Sequence, residues 1–153
     1  VLGMGVKLTR EDIERALSEL TILEQFVEEL QARELTLASS IAEHERCLEL
    51  LDEAAKSQQE ITGLLPIGGG VLVEGKITNT ERFRVNIGQN VFIEMGLERC
   101  RGWITARKQR LEQARLETSR AIRAYAERME ALRRFLSSVQ TVIRGEQREQ
   151  GSQ

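Results

Sequence analysis

A twenty-residue echo near the middle of this chain limits what it can fold into more than any other feature. Leu65-Pro66-Ile67-Gly68-Gly69-Gly70-Val71-Leu72-Val73-Glu74 returns as Val85-Asn86-Ile87-Gly88-Gln89-Asn90-Val91-Phe92-Ile93-Glu94. Ile, Gly, Val and Glu recur identically, and apolar character recurs at three more positions. Around each glycine cluster the residues alternate. Phe83, Val85 and Ile87 alternate with Arg82, Arg84 and Asn86, and Val91, Ile93 and Met95 with Phe92 and Glu94. Val71, Val73 and Ile77 alternate in the same way with Leu72, Glu74 and Lys76. Period two with β-branched residues reads as strand. Gly68-Gly69-Gly70 and Gly88-Gln89-Asn90 supply the positive-φ positions of tight turns. The middle, residues 64–95, therefore reads as two β-hairpins joined through Asn79-Thr80-Glu81.

A heptad-patterned segment lies on each side. Ile13, Ala16, Leu20, Leu23, Val27, Leu30, Leu37, Ile41, Leu48, Leu51 and Ala55 follow a 3-4 spacing interrupted only by Glu34 and His44. This predicts a coiled-coil helix over 8–58. Thr9 and Asp12 form a capping-box pattern at its start, and Gly63 and Pro66 are the expected stop. The second helix is expected over 97–145. Its seam is Ile104, Leu111, Thr118, Ile122, Tyr125, Met129, Leu132, Leu136, Val139 and Ile143, and Gly145 is its C-terminal stop. Each helix would be about 70–75 Å long.

Charge decides how these helices pair. Residues 8–60 carry five basic and fourteen acidic side chains, whereas residues 97–148 carry thirteen basic and six acidic. An acidic helix attracts a basic one and repels its own copy, so an intrachain antiparallel hairpin is favoured over a parallel homodimer. Opposed residues should then have numbers summing to roughly 153. Glu34 is expected to meet Arg115, Thr118 or Arg120 through a salt bridge or hydrogen bond. The fold class is thus α+β: a long antiparallel coiled-coil hairpin joined by two β-hairpins, read as one domain over 1–153. Two small hairpins bury their own apolar faces poorly and leave strand edges unpaired. Leu65, Ile67, Val71, Val73, Val85, Ile87, Val91 and Ile93 are therefore the expected oligomerisation strands, closing with other subunits into an intersubunit β-barrel.

The doubled "LLPIGGGVLVEGKI" and "RVNIGQNVFIEMG" between two long helices resembles the α class of prefoldin subunits, over about Leu8 to Ile143. The resemblance implies a cytoplasmic, archaeal, ATP-independent holdase: a heterohexamer of two α-class and four β-class subunits. Such an assembly captures unfolded proteins at the coiled-coil tips and delivers them to a group II chaperonin. A filament-forming or scaffold protein of the same architecture is the alternative. The tips carry apolar residues beyond the seam. Leu8, Ile13, Leu17, Phe135, Val139, Val142 and Ile143 are the candidate client contacts, with Leu2, Met4 and Val6 preceding the first helix. Exposed apolar patches of this kind mark protein contact sites. The bland reading is that Leu17 and Phe135 pack on each other across the coil.

Other motifs carry less. Gly70-Val71-Leu72-Val73-Glu74-Gly75-Lys76 matches G-x-x-x-x-G-K, but Ile77 stands where a phosphate loop needs Ser or Thr, and the stretch reads as strand. Gly75 is better explained as a bulge or a close approach. His44 is the sole histidine and has no partner ligand at metal spacing. Cys47 and Cys100 read as buried or neutral thiols, as in a reducing cytosol, and Trp103 as packed against the barrel. No cofactor loop, catalytic triad or paired catalytic carboxylates is visible, so no enzyme and no cofactor are expected. The net charge of −2 gives no reason to expect nucleic acid, although the basic second helix makes an RNA-binding coiled coil the lowest-ranked alternative. There is no apolar run long enough to span a membrane and no signal-type leader. Val1 to Gly3 read as a non-native remnant before Met4.

Overall fold

The computed structural model describes residues 9–57 and 60–152. Its elements are α1 (Arg10–Lys56), β1 (Ile61–Gly68), β2 (Val71–Ile77), β3 (Arg82–Gly88), β4 (Val91–Gly96) and α2 (Leu97–Gly151). They fall into two compact units: Val1–Thr36 with Arg115–Gln153, and Leu37–Ala114.

Helix α1 starts where the capping box places it. The Thr9 hydroxyl accepts the Asp12 amide at 3.2 Å, and the Asp12 carboxylate accepts the Thr9 amide at 3.1 Å. Two otherwise orphaned donors are satisfied reciprocally. The expected stop is wrong. The helix ends at Lys56, with Ser57 closing the last turn onto the Glu53 carbonyl at 3.0 Å, and Gly63 and Pro66 lie inside β1. Ile61 pairs with Ile77 and Gly63 with Gly75, so the first hairpin starts earlier than residue 64. Pro66 is tolerated because a two-stranded sheet has open edges, where a missing N–H breaks no ladder. The second helix is also longer than expected, running through Gly145 to Gly151. One interior glycine costs about 1 kcal/mol relative to alanine, too little to end a helix continued by Glu146, Gln147 and Arg148.

In the first unit, Ala16, Leu23, Met129 and Leu132 form the buried seam, with Leu20, Val27, Phe135 and Leu136 packed against them. Ion pairs fix the antiparallel sense: Glu19 with Arg128 at 2.7 Å and Glu34 with Arg115 at 4.0 Å. The pair expected at Glu34 is thus made by Arg115, while Thr118 is buried in the seam. In the second unit Glu45 pairs with Lys108 at 3.5 Å and Asp52 with Arg101 at 3.1 Å, both on the expected register.

The two hairpins are built alike. Each has a two-residue turn with positive φ at both positions, Gly69-Gly70 and Gln89-Asn90, preceded by a positive-φ glycine, Gly68 or Gly88. Each shows a register irregularity just before the turn, between Pro66 and Gly68 and between Asn86 and Gly88. In the second hairpin Asn86 Oδ1 accepts the Gly88 amide at 2.9 Å, holding the bulge. Gly75 is a close approach and not a bulge: a Cβ there would meet Leu65 Cδ1 at 2.6 Å.

Candidate functional site

The two hairpins differ in what supports them. Val85 and Met95 on one face of β3–β4 are buried with Leu51, Cys100 and Ile104 from the helix roots, and Phe83, Leu97 and Trp103 pack around them. This face belongs to the chain's own core. Hairpin β1–β2 has no such cover. Leu64, Leu65, Ile67, Val71, Leu72 and Val73 are all exposed, Ile67 to 67%. The register puts Leu65 opposite Val73 and Leu64 opposite Glu74, so apolar side chains stand on both faces.

Of the eight expected oligomerisation residues, Leu65, Ile67, Val71, Val73, Ile87, Val91 and Ile93 offer exposed apolar surface. Val85 does not: at 7% exposure it is spent inside the chain, because its strand face lies on the helix roots. Sequence reasoning missed Leu64, Leu72 and Phe92, the last 58% exposed. The available signal was Leu72 and Phe92 recurring in the echo on the parity assigned to solvent. An apolar residue on that parity marks a strand with two faces to cover.

The other apolar surface lies where α1 begins and α2 ends. A groove of about 430 Å³ is lined by Ile13, Leu17, Leu136, Val139 and Ile143 together with Arg133, Ser137 and Gln140. Leu17 is 49% exposed, and Ile143 is exposed with it. Four of the candidate client contacts, Ile13, Leu17, Val139 and Ile143, are thereby brought together. Phe135 is separate: it packs on the Met129–Leu132 seam and lines a second depression with Arg15, Glu19 and Arg128. Leu17 and Phe135 thus line different depressions. Val142 is exposed but does not line the groove, and Leu8, like Leu2, Met4 and Val6, lies outside the described residues. On the flank, Ile22 and Phe26 are also exposed, and the Phe26 ring lies 6.0 Å from that of Tyr125.

The electrostatics are those of a coiled coil. Arg128 grips Glu19 with two hydrogen bonds, 2.7 and 3.0 Å, and holds its carboxyl below the usual range. The Thr9 backbone and hydroxyl hydrogen bonds, and more weakly Arg15, do the same for Asp12. Burial pushes both thiols up, Cys47 and Cys100, the latter also through the nearby Cys47. His44 Nδ1 donates to the Ser40 carbonyl at 2.6 Å, meeting that need within α1. Among the described residues no group of three or more His, Cys, Asp and Glu is placed to hold a metal ion. Nor is any helix among them long and apolar enough to cross a membrane.

Comparison with known proteins bears on the whole arrangement. The prefoldin subunit family matches residues 23–142, which include both hairpins and most of both helices. The chain belongs to the prefoldin family. Relatives named prefoldin subunit alpha include one from Thermofilum pendens, 35% identical over 101 residues, covering 65% of this chain and 78% of the relative. One from Hyperthermus butylicus is 29% identical over 133 residues, with 86% and 80% covered. One from Nitrosopumilus maritimus is 26% identical over 123 residues, with 80% and 84% covered. A chain of filamentous PFD from Methanocaldococcus jannaschii, solved by cryo-EM, superimposes with a TM-score of 0.62 at 25% identity, covering 75% of this chain and 95% of that one. The α-class likeness read from the doubled hairpin agrees with these archaeal relatives. The chain is therefore a prefoldin-family member with two long helices and two antiparallel hairpins.

Proposed function

We propose that this prefoldin subunit acts as an ATP-independent holdase, capturing unfolded polypeptide at the end of its coiled coil. The observation that carries the reading is the open groove formed by Ile13, Leu17, Val139 and Ile143. Five of its eight lining residues are aliphatic. Such a surface binds exposed apolar segments weakly and with little sequence preference, as a holdase requires. The exposed hairpins support assembly with other subunits. Strands β1–β4 would close into an intersubunit barrel in a cytoplasmic heterohexamer of two α-class and four β-class subunits, which passes its clients to a group II chaperonin. No cofactor, nucleotide or catalytic group enters this scheme.

The test is aggregation of a chemically denatured protein diluted into the assembled complex without nucleotide, followed by light scattering. Suppression at near-stoichiometric ratio is expected, and Leu17→Ser with Ile143→Ser should weaken it several-fold while the complex stays intact. Undiminished protection by that double variant would move capture away from the groove. A second reading, a filament or scaffold, is favoured by the likeness to filamentous PFD. It predicts assemblies that lengthen with concentration of this chain alone and give no protection.

A further inference from the structure

The two hairpins correspond residue for residue, so each shows what the other lacks. Gly63 pairs with Gly75 in β1–β2 at the place where Phe83 pairs with Met95 in β3–β4. The neighbouring pairs agree, Leu65 with Val73 standing where Val85 stands with Ile93. Phe83 and Met95 pack with Leu51, Cys100, Ile104 and Trp103 of the helix roots. In the first hairpin both bulky side chains are missing from the same face.

Glycine weakens a strand interior, so two glycines facing each other need a reason. Backbone conformation does not supply it, since neither has a positive φ. Gly75 is explained within the chain. Leu65 reaches diagonally across the sheet, and its Cδ1 would lie 2.6 Å from a Cβ at position 75. Gly63 has no such explanation, because a Cβ there meets no described atom within 4 Å. The pairs Ile61–Ile77 and Leu65–Val73 bound the gap. They are separated by about 13 Å along the strand, at about 3.3 Å per residue. Leu65 closes the half over Gly75 and leaves the half over Gly63 open. This notch is continuous with the exposed Leu65, Val71 and Val73 on the same face.

We propose that the notch over Gly63 receives one aromatic side chain from a neighbouring subunit, its ring lying on the strand backbone in the place that Phe83 fills in the second hairpin. This rests on β1–β2 being an assembly surface, and it names the chemistry of the partner there. Leu65 takes the part that Met95 fills in the second hairpin, and the part of Phe83 is what remains. A flat ring covers a strand glycine and shields the bare backbone from water. A single aromatic anchor seated between aliphatic rows is the kind of contact that dominates an interface. A subunit without an aromatic side chain at that point leaves the notch empty and is discriminated against.

The test uses this subunit reassembled with the partner subunits that co-purify with it. Gly63→Ala and Gly63→Phe fill the notch from within the chain. The position has room and an ordinary strand backbone, so each variant subunit should keep its helix content by circular dichroism. Association, followed by size exclusion with light scattering over a dilution series, should weaken about twofold for Gly63→Ala and at least about tenfold for Gly63→Phe. Wild-type association of Gly63→Phe would overturn the proposal. So would a loss with Gly63→Ala as large as with Gly63→Phe, since a demand on the backbone and not on space would then explain the glycine. A diazirine analogue of leucine at position 65, bordering the notch, should cross-link to an aromatic residue of a neighbouring subunit. Adducts confined to aliphatic residues or to the same chain would overturn the ring, and this measurement decides if a variant fails to fold. Ile67→Asp keeps the two readings apart. If it abolishes association while Gly63→Phe does not, β1–β2 is an assembly surface and the notch is empty. If neither variant weakens association, the assembly reading fails and the proposal with it.

Discussion

Replacing Glu34 by Leu should raise the stability of the coiled coil, although it removes an ion pair. Glu34 sits on the seam with 33% of its side chain exposed, and Arg115, its partner at 4.0 Å, is 49% exposed. At that distance and exposure the pair is worth about 0.2–1 kcal/mol. A leucine at this position would bury roughly two-thirds of its side chain. Full burial gives about 1.5–3 kcal/mol, so this gives about 1–2 kcal/mol. The balance lies between about 0 and about 1.8 kcal/mol in favour of leucine, centred near about 1 kcal/mol. For a chain of this length about 1 kcal/mol is about 2–4 °C in melting temperature. The assay is thermal unfolding followed by circular dichroism at fixed subunit concentration, since assembly shifts the midpoint. Glu34→Leu, Arg115→Ala and the double variant form a cycle whose coupling should stay below about 1 kcal/mol. A clear fall in melting temperature for Glu34→Leu would refute the argument, because the seam would then depend on the pair for more than its exposure permits.

Glycine positions give opposite expectations: Gly88→Ala forces a side chain to φ +127 and should cost about 1–3 kcal/mol, seen as a lower melting temperature. Gly102→Ala, in open space within α2, should gain about 1 kcal/mol in the same assay. Ile67→Asp should leave the helix content of the subunit unchanged and abolish assembly, measured by light scattering after size exclusion, because its side chain is exposed within the chain. Acid should loosen the first unit. Glu19 and Asp12 have depressed folded pKa values, so their contribution is complete above the ordinary carboxylate range and is lost as pH falls through the folded values. The melting-temperature gap between the wild type and Glu19→Gln should accordingly close as pH falls below the ordinary carboxylate range, and a constant gap would contradict it.

The parts of this fold written in local periodicity were legible. The 3-4 seam gave both helices, and their opposite charges gave the antiparallel register that Glu45–Lys108 and Asp52–Arg101 display. The echo gave two matching hairpins. What escaped was set by competition between neighbours. Gly145 reads as a stop, yet its cost is smaller than the helical preference around it. Gly63 and Pro66 read as breakers, but pairing with Gly75 and Leu72 draws them into a strand. Val85 has the same local pattern as Leu65, its counterpart in the echo. Only the helix roots packing on β3–β4 distinguish the buried residue from the exposed one. At the groove, Ile13, Leu17, Val139 and Ile143 were readable as a set, but Phe135 was assigned with them because spacing does not say to which side of the seam a flanking residue turns.

The unequal support of the two hairpins has a bearing on what the chain exposes before it joins an assembly. One copy of the duplicated motif is fastened to the chain that made it, and the other stands bare. An unassembled copy of the chain would carry on β1–β2 the kind of exposed apolar surface that marks a contact site. Duplication followed by unequal anchoring leaves the first copy of the motif the barer of the two, with Ile67 67% exposed against 37% for its counterpart Ile87.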